Sequence, residues 1–156
     1  RKTNSQIAGD VRKIVREIIS LGNGIVSGGA LGVDYIATDE VLQMGCNRDR
    51  LKILIPSTLQ TFRSHYFKKA DERVITPEQA KMLILQLEEV KKKGCLIEGK
   101  DVILNKETYF NRITKIIENA DELIAFHINK SEGTQDTINK ANKKGIPVKV
   151  FAYLIS

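Results

Sequence analysis

The stretch Gly24-Ile25-Val26-Ser27-Gly28-Gly29-Ala30-Leu31-Gly32-Val33-Asp34 constrains this chain more than any other. A short β-branched run passes directly into a loop with three glycines and ends on an acid, the pattern of a buried strand handing over to a helix. Upstream, Val11, Ile14, Val15, Ile18 and Ile19 recur at helical spacing with Arg12, Lys13, Arg16 and Glu17 between them, and Gly22 closes the helix. Downstream, 34–44 reads as a helix stopped at Gly45, and 51–55 as a strand ended by Pro56. Helix and strand alternate, as in a parallel α/β sheet.

The middle of the chain departs from that alternation. Residues 58–71 and 77–93 read as helices, the second opened by Thr76-Pro77-Glu78 and closed by a lysine run and Gly94. Between Cys95 and Leu104 two short apolar pieces flank Gly99-Lys100-Asp101, which suggests a hairpin. A helix over 106–119, a strand over 121–128, a helix over 134–144 and a strand over 148–152 complete the pattern. The expectation is one α/β domain over 1–156, a Rossmann-like three-layer sandwich with a mainly parallel sheet and a helical insertion at about 58–105.

Two strand-to-helix handovers are unusually bare: Ser27 to Gly32, and Asn129-Lys130-Ser131-Glu132-Gly133-Thr134. In an open parallel sheet, ligands sit beyond the carboxyl ends of the strands. Glycine lets a ligand approach the main chain, and free N–H groups at a helix start suit an anion. Phosphate is therefore the expected guest. The expected binding residues are Ser27, Gly28, Gly29, Gly32, Ser131, Gly133 and Thr134, with Lys130 as a mobile charge and Asp34 as acceptor for a sugar hydroxyl. The spacings exclude a GxxxxGK[ST] phosphate loop, a GxGxxG fingerprint and a nucleophile elbow.

Charge and composition point the same way. Lys and Arg number 25 against 19 Asp and Glu, a net +6, which favours a polyanionic partner. No apolar run reaches the length of a membrane helix and no signal peptide opens the chain, so the expected location is cytoplasmic. Cys46 and Cys95 read as reduced thiols, His65 and His127 as structural or surface residues, and no metal site or cofactor is expected.

These residues carry a resemblance. "IVSGGALGVDYIA" is similar to the VVSGxAxGID motif of the DNA-processing protein A family (DprA, or Smf). "SEGTQDTINKANKKGIPVKVF" resembles its SGTxxTxxxAxxxGxPVxV segment, and Asn111-Arg112-Ile113 its Arg-Asn-Arg-Ile-Ile stretch. The resemblance runs from Arg1 to about Gln60 and from about Tyr109 to Phe151. It lies within a wider Rossmann-like group (SLOG) that includes the LOG phosphoribohydrolases.

The resemblance implies binding of a nucleotide or single-stranded nucleic acid without chemistry, a role in DNA processing, self-association, and a recombinase partner. It adds Arg112 and Arg1 to the expected site, Arg1 as the last residue of a Gly-Ser-Arg turn whose strand would precede this chain. The family's arginine and histidine are replaced by Leu31 and Thr38, removing one contact to phosphate. Arg12 to Arg16 could supply charge instead, and Tyr35, Tyr109 and Phe110 are candidate platforms for bases, with core packing the alternative for each. Two other functions remain open. A LOG-like hydrolase would need Asp136 or Glu132 to replace the missing glutamate, and a sensor would bind a nucleotide-derived ligand.

Overall fold

Asn4 sets the first helix: its side chain accepts a hydrogen bond from the Ile7 N–H at 2.9 Å, and α1 runs Ser5–Ser20. Ile7, Val11, Val15 and Ile19 form its buried stripe. The computed structural model describes residues 3–45 and 48–156, so the expectations for Arg1 and Cys46 fall outside the described residues.

After α1 come β1 (Ile25–Gly28), α2 (Val33–Gln43), β2 (Leu51–Ile55), α3 (Leu59–Asp71), α4 (Pro77–Lys92) and β3 (Leu96–Glu98). They are followed by α5 (Lys106–Glu118), β4 (Leu123–Ile128), α6 (Glu132–Lys144) and β5 (Val148–Tyr153). Every strand pairing is parallel, in the order β1-β2-β3 in one sheet and β4-β5 in another. The parallel sheet is thus divided: among the described residues, β1 and β4 each pair on one edge only. Helices α1 and α2 pack on each other and on β1, while α5 lies on β1 and β2 and α6 on β4 and β5. The result is a Rossmann-like α/β sandwich.

The expected hairpin over 95–104 is replaced by something else. β3 runs parallel to β2, and the chain then crosses the end of β2, where Gly99 N–H donates to the Ile55 carbonyl and Asp101 N–H to that of Pro56, both at 3.0 Å. A Cβ on Gly99 would lie 2.2 Å from the Pro56 oxygen, so only glycine fits there. Three residues of strand carry no periodicity that could distinguish parallel from antiparallel pairing.

Residues 58–105 also contribute to the core. Phe62 and Tyr66 from α3 and Leu83, Leu87 and Val90 from α4 are buried in the main apolar cluster. The capping box at Thr76 and Gln79 starts α4 where the sequence placed it. At its other end Lys91 pairs with Glu98 at 3.0 Å, so one lysine of the run has a specific partner.

Helices α5 and α6 run side by side in the same direction. Lys106 and Glu132 pair at 3.0 Å near their N-termini, and at the other end the Lys144 ammonium donates to the carbonyls of Ile117, Glu118 and Ala120 at 2.9, 3.2 and 2.8 Å. Lys144 thereby satisfies the open end of α5. Replacing it (Lys144→Met) is expected to lower the unfolding free energy by about 1 to 2 kcal/mol, read from urea denaturation. No helix among the described residues is long and apolar enough to cross a membrane.

Candidate phosphate site

Three parallel strands end close together, at Gly28, Ile55 and Glu98, and α5 crosses beneath the first two. The bare face of Gly28 is occupied by the protein itself. A Cβ there would meet Arg112 Nη1 at 2.5 Å, Arg112 Cζ at 2.7 Å and Asp34 Oδ2 at 2.9 Å. A guanidinium from the middle of α5 therefore lies flat against the end of β1, which a side chain at residue 28 would prevent.

Arg112 is 8% exposed, and its Nε and Nη1 have no hydrogen-bond partner among the described residues. A guanidinium does not lose its proton, so this is a buried charge with unused donors. The face of Tyr109 lies beside it, with its ring centre 5.4 Å from Arg112 Cζ, and the Asp34 carboxylate shares the Gly28 side. Lys69 and His65 of α3 approach the same ring, with Lys69 Nζ at 5.9 Å and the His65 ring centre at 6.2 Å. Burial, then the neighbouring Lys69, push the His65 imidazole below its ordinary pKa. On its other side Arg112 lines a cavity of about 50 Å³ with Ile97, Gly99, Asp101, Asn111 and Lys115. Lys115, one turn along α5 from Arg112, was not singled out from the sequence, although its helical spacing from Arg112 could have found this second wall.

The remaining loop residues have distinct reasons for being there. Asp34 accepts from Ser27 Oγ at 3.0 Å and from the Ala30 N–H at 3.3 Å, so it folds the loop over the start of α2. Gly29 is bare on the side of Ile55 and Leu87, where a Cβ would come within 2.6 Å of Ile55 Cγ2, and Gly32 takes φ +87° at the start of α2. Both glycines thus meet demands of packing and backbone. Thr38 is buried on α2, and Leu31 packs against the core.

In the second loop Asn129 and Lys130 both have left-handed backbone, and Ser131 Oγ donates to Thr134 Oγ1 at 2.9 Å rather than capping α6. Around Gly133 there is open space. α5 borders both loops, through Arg112 at Gly28 and Lys106 at Glu132. Ser27, Gly28, Asp34 and Arg112 form one cluster, and Ser131, Gly133 and Thr134 form another at the head of α6.

The two arginines of α1 are engaged within the protein, while Lys13 is exposed. Arg12 pairs with Asp39 at 2.8 Å and with the buried Glu40 at 2.9 Å, and Arg16 approaches Glu40 at 3.5 Å. Of the aromatic candidates, Tyr35 and Tyr109 pack against the core, and Phe110 lies under the ammonium groups of Lys106 and Lys140. No group of three or more metal-ligating side chains occurs among the described residues.

Among solved structures, DNA processing protein A from Helicobacter pylori, described for its single-stranded DNA binding mode, superposes with a TM-score of 0.70. The fold is DprA-like. The two chains are 24% identical, and the alignment covers 96% of this chain and 60% of that one, so this chain spans less than two thirds of its length. No family model and no curated protein matches the sequence.

Proposed function

We propose that this protein binds single-stranded DNA by its phosphates, with Arg112 and the main chain at Gly28 as the principal contact and the head of α6 as a second one. The observation that carries the reading is the buried Arg112 guanidinium with two nitrogens unpartnered, a charge that is costly to bury unless an anion completes it. The DprA-like fold supports the same reading, since the Helicobacter pylori protein binds single-stranded DNA. A cavity of about 50 Å³ suits one phosphate group rather than a whole nucleotide, which favours a strand lying over the surface. Self-association and recombinase loading rest on the resemblance alone.

The hydrolase reading has less support. Asp136 is paired with Lys140 at 2.7 Å and Glu132 with Lys106 at 3.0 Å, so each carboxylate is already engaged by a lysine rather than free to act as general acid or base.

Fluorescence anisotropy with labelled oligothymidylate tests the proposal. Binding is expected to weaken steeply as salt rises, because each neutralised phosphate releases counterions, with a log–log slope of about −0.7 per phosphate contacted. A salt-insensitive response to AMP or ADP-ribose, without oligonucleotide binding, would transfer the site to a nucleotide sensor. Release of free base from AMP would transfer it to the hydrolase.

A further inference from the structure

Val102 and Ile103 are 81% and 67% exposed, two β-branched apolar side chains placed next to each other in water. They belong to the segment between β3 and α5, which is not loose. Gly99 and Asp101 fasten it to the end of β2 through the Ile55 and Pro56 carbonyls, and Asn105 fastens the other end as the cap of α5. Asp101, immediately before Val102, lines the Arg112 cavity, as does the part-exposed Ile97. An apolar lip thus continues directly from the wall of the charged cavity.

The two sides of this cavity differ in sign. Arg112 and Lys115 line it from the α5 side and Asp101 from the β3 side, where Glu98 is engaged by Lys91 and the Leu59 N–H. Glu98 is held below the usual carboxylate range by the Leu59 N–H and by Lys91, which offsets its charge, so the negative charge on this side is that of Asp101. A second phosphate entering on the β3 side would be repelled, whereas an uncharged, flat, partly apolar group would not. That is the polarity of a nucleotide, charged at one end and neutral at the other.

We infer that Ile97, Val102 and Ile103 form a nucleobase platform, on which the base attached to the Arg112-bound phosphate lies. The inference rests on the phosphate reading above and deepens it by assigning the neutral half of the ligand. The platform gives affinity by covering apolar surface, so it is tolerant of sequence and independent of salt.

The test compares short oligothymidylate with a strand of equal length made of abasic sites, in fluorescence anisotropy, for the native protein and for the double variant Val102→Ser, Ile103→Ser. Both residues are exposed, so the variant is expected to fold. The native protein should prefer oligothymidylate over the abasic strand by about tenfold. The variant should lose that preference while keeping its abasic affinity and its salt slope. A variant that retains the preference overturns the platform and leaves the phosphate site standing. A change confined to the sedimentation of the free protein overturns it too, by assigning the patch to contact between copies. If the native protein binds neither strand, the phosphate reading falls and the platform with it.

Discussion

Arg112→Met is expected to stabilise the fold and to remove ligand binding. Methionine fills much of the same volume, and it takes away a buried charge two of whose nitrogens have no partner. Replacement of poorly compensated buried ions by apolar residues commonly leaves stability unchanged or raises it, here by about 1 to 3 kcal/mol in urea denaturation. The lost contact between Arg112 and the Tyr109 face offsets this by about 1 kcal/mol. In the same variant, affinity for oligothymidylate should fall by at least about tenfold and the salt slope should shrink by about 0.7, the share of one phosphate. A residue that only braces α5 against β1 would give the reverse: lower stability and unchanged binding. That result would refute the proposed site.

Gly99→Ala should be the most damaging single methyl in the molecule. The added carbon would lie 2.2 Å from the Pro56 oxygen and 2.5 Å from its carbonyl carbon, both main-chain atoms with no rotamer to adopt. The segment after β3 must then leave β2, taking with it the hydrogen bonds from Gly99 and Asp101. A loss of about 3 kcal/mol or more is expected. Gly133→Ala is the matched control. No atom lies within 4 Å of its Cβ position, and it sits in the first turn of α6, so alanine should leave stability unchanged or raise it by about 0.5 to 1 kcal/mol. Parallel urea titrations settle the contrast, and equal stabilities for the two variants would refute it.

The sequence revealed elements more readily than partnerships. Helix α4 is written in Thr76, Pro77 and Gln79, and α1 in its apolar stripe, because both signals are local. β3 was misread because three residues carry no period and its pairing with β2 spans two intervening helices. The glycine loop was recognised as bare, but its glycines answer to different neighbours: Gly28 to Arg112, Gly29 to Ile55 and Leu87, and Gly32 to its own backbone. Nothing in the spacing of residues 28 and 112 shows that one side chain covers the other. The same holds for Arg12 and Arg16, whose charge looked available until α2 placed Asp39 and Glu40 beside them.

The second loop depends on residues much later in the chain. Asn129 and Lys130 hold φ of 51° and 54°, a region that non-glycine residues occupy at a cost of about 1 to 2 kcal/mol each. Asn129 is kept there by three hydrogen bonds: its own N–H donates to the Tyr153 carbonyl, its side-chain Nδ2 donates to the Ile155 carbonyl, and its Oδ1 accepts from the Ile155 N–H. During synthesis on the ribosome, the turn that opens α6 therefore has no reason to adopt its final shape until position 155 has emerged. Any competence that depends on this turn waits for the docking of β5.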